Sequence, residues 1–115
     1  MVLHCNHPQE LNLEVKKVCE DLLQIGCHLL NQTVLLAGIN DHAQVLASLS
    51  QALFRFGVMP YYLHALDKVQ AVAHFDLPFV KAQKIYKQLQ ALLPGYLLPR
   101  MVREEVGKPS KTILI

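Results

Sequence analysis

Residues 28–63 read HLLNQTVLLAGINDHAQVLASLSQALFRFGVMPYYL, and this stretch decides the fold class. Its opening run, His28–Leu36, is mostly apolar and of strand length. Gly38 breaks it, and the pair Asn40-Asp41 offers side-chain oxygens that cap a helix. Val45, Leu49, Ala52, Leu53 and Phe56 then recur at helical spacing, Gly57 stops the helix, and Val58–Leu63 forms a second strand-length run ending in aromatics. Two strands joined through one helix run parallel, and such a crossover is right-handed.

The same rhythm extends both ways. Upstream, Val2-Leu3-His4-Cys5 is a short strand, and a helix fits from about Gln9 to Ile25, with Pro8 near its first turn and Gly26 closing it. Val15, Val18, Cys19, Leu22 and Leu23 give that helix its apolar face. Downstream, a polar loop from His64 to about His74 leads to a third helix over about Pro78 to Leu93, with Ile85, Leu89, Leu92 and Leu93 inward. Pro94-Gly95 ends it, Tyr96–Val102 is a fourth strand, and a tail carries Gly107-Lys108-Pro109-Ser110-Lys111. The order β-α-β-α-β-α-β predicts an α/β fold of parallel βα units. Half of an eight-stranded barrel and a small open sheet both satisfy this pattern.

Composition bounds the function. A chain of 115 residues makes one domain, residues 1–115, by a prior of roughly 100–200 residues per domain. With 52% hydrophobic and 17% charged residues and a mean hydropathy of +0.24, it is more apolar than a small free-standing domain needs. It therefore pairs with something or shares a larger core. The run Leu22–Leu36 is interrupted by Gln24, Gly26, His28, Asn31 and Gln32, so no membrane span is expected, and no basic stretch leads into an apolar segment at the start. A cytoplasmic location is the expectation. The net charge of +2 comes from scattered lysines, which argues against nucleic acid. Cys5, Cys19 and Cys27 lack the paired spacing of a zinc site and read as reduced structural cysteines.

Parallel α/β proteins bind ligands beyond the carboxyl ends of their strands. That rule selects Asn6-His7, Asn31-Gln32-Thr33, His64 to Asp67, and Arg103 to Lys111. His7 either caps a turn or serves as a ligand, and His74 either positions a loop or touches one. His28, His42 and Asp41 read as ordinary surface histidines and a helix cap. Asp67 either holds a substrate ammonium or pairs with Lys68 at the surface, and Glu104 and Glu105 pose the same choice. Lys111 is a solvated tail lysine unless an apolar setting lowers its pKa and lets it form a Schiff base.

Taken in order, these segments resemble one family. Asn6-His7-Pro8-Gln9-Glu10 resembles the N-H-P-N-E segment of lysine 2,3-aminomutases, and Asn31 to Leu36 with Gly38-Ile39-Asn40-Asp41 resembles their N-Q-[ST]-V-L-L-x-G-[VI]-N-D signature. Pro60 to His64, Leu66-Asp67, Ala73-His74-Phe75, Gly95-Tyr96-Leu97 and Pro109-Ser110-Lys111-Thr112 continue the likeness over essentially the whole chain. The P-S-K-T ending is closest to the branch that supplies (R)-β-lysine to elongation factor P.

The resemblance implies an isomerase of the radical S-adenosylmethionine, pyridoxal-phosphate-dependent group, and it implies the carboxy-terminal half of a partial TIM-like barrel. A [4Fe-4S] cluster would cleave S-adenosylmethionine, and the resulting radical would shift the amino group of L-lysine from the α to the β carbon. By position, Lys111 corresponds to the pyridoxal-phosphate Schiff-base lysine, in a cofactor tail spanning 103–115. Asp67 and Glu104 correspond to carboxylates that hold the ε-ammonium of the substrate. Gln32 corresponds to a residue near S-adenosylmethionine, and His64 to one lining the pyridoxal-phosphate pocket. The family's C-x-x-x-C-x-x-C run is absent, so no metal ligand is expected in this chain. Ala37, Ala71-Val72 and Val106 depart from the family pattern. The expected partners are lysine and either the missing amino-terminal barrel half or another copy of the chain. The alternatives are an inactive remnant or interaction module, or pyridoxal-phosphate binding without radical chemistry.

Overall fold

The computed structural model describes residues 1–65, 78–103 and 112–113. Ten short elements alternate along them. Strand β1 (Val2–Leu3) leads through a 3-10 turn (Pro8–Glu10) to α1 (Leu13–Gln24), then β2 (Leu29–Val34), α2 (Ala43–Arg55) and β3 (Val58–Ala65). Helix α3 (Phe79–Leu92), a second 3-10 turn (Gly95–Leu97), β4 (Arg100–Arg103) and β5 (Thr112–Ile113) complete the order. The strands form one sheet in sequence order, with β1 to β4 parallel and β5 antiparallel to β4. The expected parallel α/β sheet is therefore present, and β5 is an addition to it. Among the described residues, no helix is long and apolar enough to cross a membrane.

Several boundaries differ from the sequence expectation, each for a local reason. The first helix begins at Leu13, because the Asn12 side chain accepts from the Val15 N–H at 2.9 Å and starts it there. Pro8 belongs to the separate 3-10 turn before it. The cap position of α2 is His42, without a side-chain bond, while Asn40 and Asp41 are engaged elsewhere. The fourth strand starts at Arg100 and not at Tyr96. Residues Gly95–Leu97 coil into the 3-10 turn, closed by Leu97 N–H to Pro94 O at 3.0 Å, and Pro99 has no N–H to give a ladder. The Pro99 carbonyl accepts instead from the Tyr86 hydroxyl at 2.6 Å. Strand β3 runs on through His64 and Ala65, which the sequence assigned to a loop.

All three helices cover one face of the sheet, and the core there divides into two clusters. The larger joins Leu35, Leu63 and Met101 of the sheet region to Leu46 of α2 and Ile85, Tyr86 and Leu89 of α3. The smaller joins Cys19 of α1, Leu29 of β2, Leu49 and Leu53 of α2, and Val58 of β3. Two residues expected inward on α1 are not: Val18 is 56% exposed and Leu23 39%. Leu92, expected inward on α3, is also exposed. Leu23 has a different contact. Gly57 turns the chain between α2 and β3 with φ +78, an angle that favours glycine, and a Cβ there would displace the exposed tip of the Leu23 side chain.

Candidate functional site

Strand alternation sets which side chains leave the helix face. Along β2, Leu29, Asn31 and Thr33 are buried, while Leu30, Gln32 and Val34 between them are half-buried on the opposite face. The pairing of β2 with β3 shifts between Asn31 and Gln32: Asn31 lies opposite Pro60, but Gln32 opposite Tyr62. Tyr61 is the extra residue of this bulge, a device that re-aims the side chains following it. Beyond it, Tyr62 and His64 share a face with their partners Gln32 and Val34.

His64 Nε2 lies 3.1 Å from Gln32 Oε1, a hydrogen bond between neighbouring strands on the face opposite α1, α2 and α3. With the carboxamide oxygen as acceptor, Nε2 carries the proton, and in the neutral ring Nδ1 is the acceptor nitrogen. His64 is buried and Gln32 half-buried. The Tyr62 ring meets His64 edge-on at 5.9 Å, and the Tyr61 and Tyr62 rings are 4.3 Å apart. A polar pair with aromatic neighbours thus occupies the carboxyl half of β2 and β3, where parallel sheets bind ligands.

The asparagines of the same motifs do different work. Asn31 Oδ1 accepts from the Cys5 N–H at 2.9 Å, and its Nδ2 donates to Cys5 O and to Thr33 Oγ1. Thr33 Oγ1 donates to Cys5 O at 2.8 Å, and Asn6 Oδ1 accepts from the Val34 N–H at 2.9 Å. Asn40 is fully buried: its Oδ1 accepts from Leu36 N–H at 2.7 Å, and its Nδ2 donates to Asn6 O at 2.8 Å and Val34 O at 2.9 Å. Together they tie the end of β1 to the end of β2 and to the loop leading into α2. His7 caps the Pro8–Glu10 turn, with Nδ1 accepting from the Gln9 N–H at 3.1 Å. Glu10 reaches back to the N–H groups of Asn6 and His7. The capping alternative for His7 therefore holds.

Asp41 is not the helix cap expected from sequence, since His42 holds that position. Its carboxylate, 11% exposed, lies 3.8 Å from Lys81 Nζ and 3.8 Å from His42 Nε2. The first turn of α3 is thereby drawn to the loop after β2, at the same end of the sheet. Sequence reasoning missed the part played by Asn6, Asn40 and Asp41. The signal was a set of asparagines in apolar surroundings, since a buried carboxamide requires partners.

The cysteines are free, Cys19 buried and Cys5 and Cys27 half-buried. Burial pushes the Cys19 thiol above its ordinary value of 9.0, and burial, then Glu10 and Cys19, do the same for Cys5. Burial likewise raises Tyr86 above 10.0. Each group holds its proton more tightly folded than unfolded. Their contribution to stability is full below the ordinary thiol range and is lost as pH rises through the raised values. The urea midpoint of the chain is expected to fall between pH 8 and about 11; an unchanged midpoint over that window would contradict it.

Of the residues singled out from sequence, Gln32 and His64 are brought together. Asp67, His74, Glu104, Glu105 and Lys111 lie outside the described residues. The register across the last strands is nonetheless informative, because Ala65 pairs with Arg103 and Arg103 with Thr112. In sequence, Asp67 follows Ala65 by two positions, Glu104 follows Arg103 directly, and Lys111 directly precedes Thr112.

The chain is an α/β unit built on a parallel sheet, with polar groups toward the carboxyl ends of its strands, the end at which such sheets bind ligands. No protein-family model matches the chain. Curated relatives do. The L-lysine 2,3-aminomutase of Haemophilus influenzae is 49% identical over 113 residues, covering 98% of this chain and 33% of the relative. That of Escherichia coli is 50% identical over 114 residues, covering 99% and 33%, and that of Bacillus subtilis is 33% identical over 96% and 24%. Over its whole length the chain is similar to the carboxy-terminal part of these L-lysine 2,3-aminomutases. It spans about a third of the length of the first two relatives.

Proposed function

We propose that the chain is the carboxy-terminal part of a partial-barrel isomerase that converts L-lysine to β-lysine. It acts with S-adenosylmethionine, a [4Fe-4S] cluster and pyridoxal phosphate. The observation that carries this reading is the register Ala65–Arg103–Thr112, which aligns at one end of the sheet three positions that stand two, one and one residues in sequence from Asp67, Glu104 and Lys111. The Gln32–His64 pair lies on the face opposite α1, α2 and α3, toward that same end. The chemistry suits the cofactor: the Gln32 carboxamide keeps its N–H donors while its oxygen accepts from His64, and the imidazole and aromatic ring beside it offer flat surfaces to a heterocycle.

In this reading residues 1–115 are one partial-barrel domain, and 103–115 form its cofactor tail. Lys111 is the amine that anchors pyridoxal phosphate. Asp67 and Glu104 hold the substrate ε-ammonium by charge-assisted hydrogen bonds, each worth about 1.5–3 kcal/mol. Gln32 lies toward S-adenosylmethionine and steadies the ring of His64, which lines the pyridoxal-phosphate pocket. When bound, pyridoxal phosphate supplies a conjugated ring to carry the migrating nitrogen, and S-adenosylmethionine with the cluster supplies the hydrogen-abstracting radical. The cluster ligands belong to the other two-thirds of the enzyme, so the chain alone turns nothing over. The cytoplasm is the compartment this chemistry suits, and the Pro109-Ser110-Lys111-Thr112 ending supports (R)-β-lysine for elongation factor P as the product's use.

The test is a chimera in which this chain replaces the matching third of the E. coli L-lysine 2,3-aminomutase. Assayed anaerobically with S-adenosylmethionine, it is expected to form β-lysine. A chimera that folds and holds its cluster, yet forms none, would establish the inactive-remnant reading instead.

A further inference from the structure

A cavity of about 10 Å³ lies between α2 and the sheet, at the level where β2 and β3 shift register. Leu46, Ser50 and Leu53 of α2 line it from one side, and Asn31, Thr33 and Pro60 from the other. It sits where the two core clusters meet, since Leu46 belongs to one and Leu53 to the other. Its volume matches the ~10–15 Å³ that a single water requires.

The polar groups around it are unevenly supplied. Ser50 is 3% exposed within α2, and its hydroxyl makes no hydrogen bond among the described residues. A buried polar group calls for a partner. Asn31 and Thr33 have the complementary imbalance. Both Nδ2 hydrogens of Asn31 are used, on Cys5 O and Thr33 Oγ1, and the Thr33 hydroxyl hydrogen goes to Cys5 O. Asn31 Oδ1 accepts once, from the Cys5 N–H, and Thr33 Oγ1 accepts once, from Asn31. Each oxygen has room for a second bond, and neither side chain has a hydrogen left to give.

We propose that this cavity binds one ordered water, which accepts from the Ser50 hydroxyl and donates to Asn31 Oδ1 and Thr33 Oγ1. A water offers two hydrogens and accepts, so it completes all three groups with the roughly three bonds usual for buried water. The wall carries no charged side chain, which disfavours an ion. The bridge joins α2 to β2 directly before the bulge at Tyr61, the bulge that sets His64 beside Gln32. It needs no cofactor or substrate and therefore stands apart from the aminomutase reading.

The test uses the chain free of ligand. Nuclear Overhauser transfer is measured from slowly exchanging water to the methyl groups of Leu46, Leu53 and Thr33, and a crystal structure that resolves ordered water is determined. Transfer to those methyls is expected, with one water peak about 2.7–2.8 Å from Ser50 Oγ. Ser50→Ala removes a partner without adding bulk, and Ser50→Val fills the space; both are expected to lose the transfer while the fold is retained. A folded parent without transfer, or transfer that survives Ser50→Ala, would overturn the proposal. So would density showing Ser50 bonded directly to a main-chain carbonyl, or an ion in the cavity. If a variant does not fold, the parent's spectrum and crystal decide.

Discussion

Asn40→Ala is expected to destabilise the chain by about 3 kcal/mol, at roughly 1–3 kcal/mol for each buried polar group left without its partner. The carboxamide of Asn40 satisfies three main-chain groups at once: the Leu36 N–H and the carbonyls of Val34 and Asn6. Alanine returns none of these bonds, and the fully buried position gives water little access. Asn6 is half-buried, so its carbonyl rehydrates in part; the other two groups carry most of the cost. A loss of this size is a large fraction of the ~5–15 kcal/mol that holds a domain together. It would lower Tm by about 15 °C at ~4–8 °C per kcal/mol. Equilibrium urea unfolding checks it, and a loss below about 1 kcal/mol would show that solvent replaces the carboxamide. The consequence reaches function too. Asn40 fixes the loops after β1 and β2 to one another, and with them the approach to Gln32.

Leu53→Ala and Leu89→Ala are each expected to cost about 3 kcal/mol, within the ~2–5 kcal/mol range for removing a buried leucine. Both side chains are fully buried, but they serve different clusters: Leu53 packs among α1, α2 and the start of the sheet, and Leu89 between α3 and the later strands. They share no cluster, so their costs are expected to add within about 0.5 kcal/mol. The double variant then loses about 6 kcal/mol and is expected to be largely unfolded at 25 °C. Denaturation of the two single variants and of the pair measures this. A strongly sub-additive pair would mean that the two clusters are one core.

What was legible in the sequence was whatever periodicity carries. The apolar stripe from Leu49 to Leu53, the stop at Gly57 and the strand-length run His28–Leu36 all had one consistent reading, and the parallel sheet followed. What escaped it depended on contacts remote in sequence. Nothing in Pro8 shows that Asn12, and not Pro8, starts α1. Pro99 delays β4 because a ladder bond is missing, and its carbonyl is then taken by Tyr86 across 13 positions. Val18 looked inward by spacing, yet it is 56% exposed and lines a groove with Met1 and Leu3. The bulge at Tyr61, which sets Tyr62 and His64 beside Gln32 and Val34, leaves no mark in hydropathy at all. For the candidate site, the structure brings together two residues, Gln32 and His64, that the family resemblance had marked. The stapling role of Asn6, Asn31 and Asn40 was hidden, because a buried asparagine and a ligand-binding one look alike in sequence.

Lys111 is where the account is most exposed to test. The chain, alone and in the E. coli chimera, is incubated with pyridoxal phosphate, reduced with borohydride, digested and mapped by mass spectrometry. A phosphopyridoxyl adduct is expected on Lys111 in the chimera, in preference to Lys16, Lys17, Lys68, Lys81, Lys84, Lys87 and Lys108, and absent in Lys111→Ala. Adduct spread evenly over those lysines, or none at Lys111 in a folded chimera, would contradict the assignment of this chain as the cofactor-anchoring part of a lysine 2,3-aminomutase.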